Sequence, residues 1–254
     1  MKKILLFLCI GILLTNVSSA KANCFLAVEN NRVLKKEGVC TERYSPCSTF
    51  KIAISLIGYD SGILIDEKGP TWDYKEGYPD WLDKWKQPHN PSLWIKNSCV
   101  WYSQIITQKI GMKKFKEYVE EFNYGNKDVS GDKDKDNGLT NSWLSSSLQI
   151  SPKEQILFLQ KLIENKLLVS DKAHKITKRI LFVEDLFNGG RLYGKTGAGS
   201  KSRITFAWFI GWIEKDNRTV VFANYLEDKN KESFELSANA KKTAKEKLIQ
   251  LIQK

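Results

Sequence analysis

Residues 46–57, Pro-Cys-Ser-Thr-Phe-Lys-Ile-Ala-Ile-Ser-Leu-Ile, are the stretch around which the chain is organised. Their spacing predicts a helix that begins near Ser48, because a proline precedes it and apolar residues then recur at helical intervals. Ser48 and Lys51 are three residues apart and share a face of that helix. A serine is a poor nucleophile unless a nearby base accepts its proton, so the pair is a candidate catalytic centre. Ser-x-x-Lys also recurs by chance, so further motifs must decide its meaning.

The N-terminus has the pattern of a cleavable secretory signal. Two lysines precede an apolar run over residues 4–14, and small residues follow up to Ala20 and Ala22. A membrane anchor is the less favoured interpretation, because the run is shorter than a bilayer requires. We therefore expect a signal peptide over residues 1–22, cleaved near Ala20 or Ala22, and an exported protein without a stable membrane anchor.

Export permits disulfides, and four cysteines follow the signal. Cys24 and Cys40 flank an apparent hairpin and are one possible pair, while Cys47 and Cys99 are another; four free or partly paired thiols remain equally open. With two histidines in the chain and no Cys-x-x-Cys, we expect no zinc site. The aspartates over 132–138 resemble a calcium loop, but its glycine comes one residue late and no glutamate follows at the right place, so we expect a solvated loop.

The net charge of +11 does not indicate a nucleic-acid partner. Lysines are spread throughout and are densest at 113–116 and 241–247, both on predicted amphipathic helices, so they form a solvated face. The length and the hydrophobic fraction of 42% suit one large catalytic domain over 23–254, or two intimately packed subdomains.

Periodicity predicts an α+β fold. A hairpin turns at Asn30-Asn31, irregular structure with short helices and buried tryptophans covers 59–97, and two helices lie between 102 and 122. A capping box at Ser151–Glu154 begins a helix that extends to about 167, and another covers 171–182. Strands at 192–194, 204–214 and 219–226 and a final helix over 235–253 complete an antiparallel sheet with flanking helices. We expect a mixed α/β subdomain over 23–58 and 185–254, with an all-helical region over 59–184 inserted into it.

Three further motifs follow Ser48: Ser98-Cys99-Val100 before a helix, Tyr124-Gly125-Asn126 at a helix end, and Lys195-Thr196-Gly197 after a strand. Together with Trp143-Leu-Ser-Ser-Ser-Leu148, their order and spacing over roughly residues 24–250 resemble the class D (oxacillinase-type) serine β-lactamases of the penicillin-recognising superfamily. The resemblance implies the β-lactamase/transpeptidase-like fold, a periplasmic location and a small-molecule β-lactam substrate. Val100 stands where a class A enzyme has asparagine.

The resemblance also implies a role for each motif residue. Ser48 would be the nucleophile, and Lys51, carboxylated by carbon dioxide after burial lowers its pKa, would be the general base, with no other cofactor. Ser98 and Lys195 would relay a proton to the lactam nitrogen. The remaining expected roles are carbamate stabilisation by Trp143 and Val100, an oxyanion hole from the N–H groups of Ser48 and Ala198, and substrate contacts from Thr196, Gly197, Tyr124 and Asn126.

Two departures from the family pattern affect the site. Cys99 stands where valine is frequent, and no arginine follows the last strand to bind the substrate carboxylate. Lys229, Lys231, Ser237 or Arg203 could take that role. The sequence leaves open the preferred β-lactam, any carbapenemase activity, and whether the protein is a monomer or a homodimer.

Hydrolysis of penicillins and related antibiotics, which gives resistance, is the function that this pattern favours. The alternative is a β-lactam-binding sensor that is acylated at Ser48 without turnover, although such sensors usually follow several membrane spans. A transpeptidase or carboxypeptidase is disfavoured, because its second motif is usually Ser-x-Asn and here the last position is Val100.

Overall fold

A computed structural model describes residues 23–187 and 189–253, so the expected signal peptide lies outside the described residues. Within these described residues, six strands form one sheet. They are β1 (Cys24–Glu29), β2 (Arg32–Gly38), β3 (Phe182–Asp185), β4 (Arg191–Lys201), β5 (Ile204–Lys215) and β6 (Arg218–Asp228).

All the strand pairs are antiparallel, and their order across the sheet is β2-β1-β6-β5-β4-β3. In the described part of the chain, eight α-helices accompany them: α1 (Lys51–Asp60), α2 (Pro91–Asn97), α3 (Val100–Ile110), α4 (Met112–Glu121), α5 (Gly138–Asn141), α6 (Pro152–Ile163), α7 (Asp171–Ile180) and α8 (Ser233–Ile252). The predicted antiparallel α+β fold is therefore confirmed.

The sheet is packed on both faces, because its side chains alternate. On β5, Ala207 and Phe209 face a cluster that is completed by α8, whereas Trp208 and Ile210 face the core shared with the other helices. The same alternation on β4 turns Leu192 towards α8 and Tyr193 towards the core shared with the other helices. We call this second face the helical side of the sheet. Lys195 is two residues beyond Tyr193 and lies on the helical side, where α1 is packed.

Local signals explain several helix ends. Ser151 and Glu154 form the predicted capping box, with Pro152 at the first helical position of α6. Asn90 caps α2 by accepting the Leu93 N–H. Gly111, at φ +77°, separates α3 from α4 as the sequence predicted. At the first hairpin, Asn30 and Asn31 both have positive φ, which suits a tight two-residue turn.

The predicted helix start near Ser48 is confirmed as a 3₁₀ turn over Cys47–Phe50 that continues into α1 at Lys51. Four other local predictions were wrong. Helix α6 ends at Ile163 rather than near residue 167. The Lys195-Thr196-Gly197 motif lies inside β4 rather than after a strand. Helix α7 ends at Ile180, so Phe182 begins β3, a strand absent from the prediction. Trp81 is 66% exposed, although it was expected among the buried tryptophans.

Cys24 and Cys40 form a disulfide, while Cys47 and Cys99 are free and buried. This pattern selects one of the alternatives that the sequence left open, and the bond ties β1 to the segment that follows β2. Among residues 23–187 and 189–253, no helix combines the length and apolarity needed to cross a bilayer.

Candidate active site

The nucleophile lies on a turn that is held from several sides. The Cys47 N–H donates to the Trp143 carbonyl over 2.9 Å, and the Thr49 hydroxyl donates to the Pro46 carbonyl over 2.8 Å. Cys47 has φ +47°, an uncommon value for a side chain larger than glycine. The turn leaves Ser48 partly accessible, while its neighbours Cys47 and Thr49 are buried.

Lys51 lies one turn further, at the first position of α1. Its Nζ donates to the Ser48 Oγ over 3.2 Å, and the side chain is fully buried. Burial lowers the pKa of Lys51 to about 8, although the nearby Cys99 and Cys47 thiols oppose the shift. A buried ammonium is costly, so the neutral amine, which can accept a proton or react with an electrophile, is populated at a much lower pH than in an exposed lysine.

Trp143 adds a second unusual group on the same side of the core. Its ring is fully buried, with ring centroids 5.7 Å from Phe50 and 6.2 Å from Phe115. Its indole Nε1 has no hydrogen-bond partner among the described residues. An orphaned buried donor costs free energy, so this N–H is available to an acceptor that enters the site.

The relay serine is placed by a break between two helices. Ser98 adopts the left-handed conformation at φ +57° and ends α2, and α3 begins at Val100. This abrupt change of direction directs the Ser98 hydroxyl towards β4, where it accepts a hydrogen bond from the Lys195 Nζ over 2.9 Å. Val100 is buried in the helical core. Its role as an apolar wall beside Lys51 stays a prediction.

Lys195 is held in position by its own strand as well as by Ser98. Its Nζ also donates to the Thr196 carbonyl over 3.0 Å and lies 3.5 Å from the Thr196 hydroxyl. Burial lowers the pKa of Lys195 well below its usual value, and the positive charges of Lys51 and Lys84 act in the same direction. The charge of Lys51 therefore lowers the affinity of Lys195 for a proton.

Strand β4 approaches the nucleophile turn closely at Gly197. A Cβ atom at this position would lie 2.7 Å from the Pro46 carbonyl oxygen and 3.0 Å from the Thr49 nitrogen, so only glycine fits. The contact joins the strand that carries Lys195 to the turn that carries Ser48. Ala198 is the next residue of β4. Its role in an oxyanion hole, with the Ser48 N–H, stays a prediction.

The Tyr and Asn side chains of the Tyr-Gly-Asn motif both make contacts within the protein. Tyr124 is 1% exposed, packs against Phe50 and lies 3.4 Å from the Gln155 Oε1. The Asn126 side chain donates to the Ser147 carbonyl and accepts from the Gln149 N–H. Tyr124 thus packs against the nucleophile turn at Phe50, whereas Asn126 fixes the segment around Ser147 and Gln149. Contact of either residue with substrate stays a prediction.

The four residues predicted as candidates for binding a substrate carboxylate differ in their position, exposure and ion pairing. Arg203 lies in the turn after β4, eight residues beyond Lys195. This spacing corresponds to at least about 20 Å along the strand, so the Arg203 side chain is too short to reach Lys195. Lys231 forms an ion pair with Glu235, and Lys229 is exposed. Ser237 lies half-buried on α8, one turn before Lys241.

Lys241 is a residue that the sequence interpretation missed. It lines the same cavity as Lys195 and Thr196, and its Nζ is 3.3 Å from the Glu184 carboxylate. A signal for it did exist, because Ser237 and Lys241 share a helix face at i and i+4. In the described part of the chain, no group of three or more His, Cys, Asp or Glu residues could hold a metal ion.

These features match a known family. Residues 15–248 match the penicillin binding protein transpeptidase domain. The β-lactamase OXA-9 of Klebsiella pneumoniae is 42% identical over 216 residues, which cover 82% of this chain and 79% of that protein. The crystal structure of the class D β-lactamase OXA-427 superposes with a TM-score of 0.83 at 38% identity, covering 90% of this chain and 99% of that one.

The same fold is also found in a receptor. The C-terminal domain of the Bacillus licheniformis BlaR penicillin-receptor superposes with a TM-score of 0.78 at 28% identity, covering 91% of this chain and 90% of that one. The transpeptidase-domain match defines the broad class to which this fold belongs. Within it, the chain belongs to the class D β-lactamases, a family of serine enzymes.

Proposed function

We propose that this protein hydrolyses penicillins and related β-lactams through an acyl-enzyme on Ser48, and so gives its host resistance to them. The observation that carries the proposal is the contact between an accessible Ser48 hydroxyl and a fully buried Lys51 amine whose pKa is lowered to about 8. Membership in the class D family supports it, since its relatives include the β-lactamase OXA-9.

Acylation uses the two serine–lysine pairs in sequence. The Ser48 oxygen attacks the lactam carbonyl carbon as its proton passes to the base at Lys51, and the carbonyl–nitrogen bond breaks. Ser98 gives its proton to the departing nitrogen and recovers one from Lys195, which lies 2.9 Å away. Water then hydrolyses the ester and releases Ser48. The N–H groups of Ser48 and Ala198 stabilise the negative charge on the carbonyl oxygen.

We further propose that the base is an N-carboxylated Lys51, formed when the neutral amine takes up carbon dioxide. The residues present fit this group: the amine is buried, Val100 contributes to an apolar surrounding, and the unpartnered Trp143 indole N–H supplies a donor. When bound, the group supplies a carboxylate that accepts protons near neutral pH. No metal or organic cofactor is needed.

The decisive experiment measures turnover and acylation together. The purified protein, supplied with bicarbonate, is expected to open a chromogenic β-lactam over many cycles, and Ser48→Ala is expected to abolish both hydrolysis and the covalent adduct seen by mass spectrometry. Export is tested separately by N-terminal sequencing of the mature protein from the periplasm, where cleavage after Ala20 or Ala22 is expected. Expression in a susceptible bacterium should raise the inhibitory concentration of penicillins.

One alternative follows from a specific similarity. The penicillin-receptor domain shares the fold, and such a protein would hold the acyl group rather than release it. It predicts one equivalent of acylation at Ser48 with no turnover, even with bicarbonate present. That outcome would refute hydrolysis and assign the chain a sensing function.

A further inference from the structure

A cavity of about 570 Å³ begins at Lys195 and Thr196 and extends away from Ser48. The direction follows from the strand: Gly197 abuts the nucleophile turn, whereas Gly194, three residues earlier and about 10 Å away, lines the cavity. A volume of this size is typical of small-molecule sites. The active site is thus continuous with an additional space on its Lys195 side.

The sheet leaves this space open. Strand β3 pairs with β4 only at Arg191, Leu192 and Tyr193, so it does not cover the edge of β4 beyond them. The cavity passes around this edge. Lys195 lies on its helical side, whereas Phe209 belongs to the cluster beneath α8. Its walls therefore come from α2, the end of α7, β3 and α8.

The floor of the cavity is apolar. It includes Ile95 of α2, Phe209 of β5 and the ring of Phe182, and Ile180 and Val183 extend it. Phe182 is 42% exposed, which is unusual for a phenylalanine at the start of a strand. Burying such a ring against a ligand would be favourable, since each apolar area removed from water contributes to binding.

The rim of the cavity is cationic. Four of its twelve lining residues are basic, namely Lys96, Arg179, Lys195 and Lys241, and none is acidic. Arg179 and Lys241 are neutralised by Glu67 and Glu184. Lys96 is exposed and forms no ion pair among the described residues, so it offers an uncompensated charge two residues before Ser98. The cavity therefore combines apolar surface with a net positive field.

The chemistry of a bound β-lactam determines what reaches this space. The carboxylate lies on the carbon bonded to the lactam nitrogen, and that nitrogen must meet Ser98, so the carboxylate lies at Lys195 and Thr196. In a cephalosporin the next ring carbon, position 3, carries the variable substituent. This substituent points beyond the carboxylate, away from Ser48 and into the cavity.

We propose that this cavity is a subsite for the position-3 substituent of cephalosporins and that it selects an acidic heteroaromatic group. The ring would lie on Phe182, and its negative charge would approach Lys96. The inference rests on the proposed function only in assuming that a β-lactam is bound at Ser48.

The test measures non-covalent binding to the Ser48→Ala protein, so that it does not depend on turnover. Three cephalosporins with the same position-7 side chain are compared, carrying at position 3 a hydrogen, an acidic heteroarylthiomethyl group or a cationic ammoniomethyl group. Dissociation constants are obtained by calorimetry. The acidic compound is expected to bind most tightly and the cationic compound most weakly.

Variants of the lining then identify the cause. Adding Lys96→Gln should raise the dissociation constant of the acidic compound about three- to fivefold, which corresponds to the loss of one partly exposed ion pair. The dissociation constant of the hydrogen compound should change by less than about twofold. Adding Phe182→Ser should weaken the binding of both substituted compounds relative to the binding of the hydrogen compound. Lys113→Gln removes the same charge from the exposed surface of α4 and should change none of the three.

Equal binding of the three compounds, or equal losses for all three with Lys96→Gln, would overturn the subsite. A wild-type protein that fails to hydrolyse any β-lactam would instead overturn the proposed function. The two failures are distinguishable, because binding preferences in the Ser48→Ala protein remain measurable in either case.

Discussion

Replacing Trp143 by phenylalanine tests the carboxylated lysine most directly. The variant keeps an aromatic ring against Phe50 and Phe115 and removes the indole N–H, which has no partner among the described residues. If this N–H binds the carboxylate on Lys51, its loss removes one hydrogen bond to a charged group. Such a bond contributes roughly 1.5–3 kcal/mol, so the affinity for carbon dioxide should fall about 10- to 150-fold.

The assay separates this effect from a general loss of stability. Protein is degassed at mildly acidic pH and titrated with ¹³C-labelled bicarbonate, and both the carbamate signal and the recovery of activity are followed. The variant is expected to regain activity only at much higher bicarbonate concentrations, with deacylation slowed more than acylation. Loss of the larger ring should also cost about 1–3 kcal/mol of folding stability.

A matched control is Trp94→Phe. Trp94 is equally buried, but its indole N–H already donates to the Ser103 hydroxyl over 2.8 Å. This variant should lose a comparable amount of stability and retain its bicarbonate dependence. Unchanged affinity for carbon dioxide in Trp143→Phe, or an equal loss in both variants, would refute the assignment.

Three further predictions concern the glycine contact, the buried lysine and the disulfide. Gly197→Ala should lower kcat/KM by about 100-fold, because its Cβ would meet the Pro46 oxygen at 2.7 Å and displace β4 from the nucleophile turn; unchanged kinetics in a folded variant would contradict this. Without carbon dioxide, burial of Lys51 lowers its pKa to about 8 from an ordinary 10.5. Between pH 8 and pH 10.5 the unfolded chain therefore binds more protons than the folded chain, and the free energy of unfolding rises with pH. The stability of the wild type relative to Lys51→Met should therefore increase by on the order of 3 kcal/mol from pH 7.5 to 10.5, measured by urea unfolding, and a flat difference would show that the amine is not perturbed. Reducing the Cys24–Cys40 bond, which closes a loop with a sequence separation of 16, should cost about 3 kcal/mol and lower the melting temperature while leaving activity at 25 °C intact; loss of activity in parallel with the bond would contradict a purely structural role.

The sequence predicted well wherever a signal was local. The Asn30-Asn31 hairpin, the break at Gly111 and the Ser151 capping box each depend on a few adjacent residues, and each is present. Strand β3 was missed because its four residues follow a helix directly and are stabilised by pairing with β4, a contact across intervening chain. The exposure of Trp81 is likewise decided by its surroundings, since nothing in its neighbours distinguishes it from the buried Trp85.

By itself the sequence determined the motif residues of the candidate site and their order, because the short motifs around Ser48, Ser98, Trp143 and Lys195 are recognisable from their sequence and spacing together. Only the tertiary structure decided how they meet. The alternation of β4 turns Lys195 to the helical side, the left-handed Ser98 directs its hydroxyl to that lysine, and Gly197 admits the strand to the nucleophile turn. The environment of Lys51 is the clearest case, since a lysine in a sequence is an ordinary cation, and full burial by distant segments lowers its pKa to about 8.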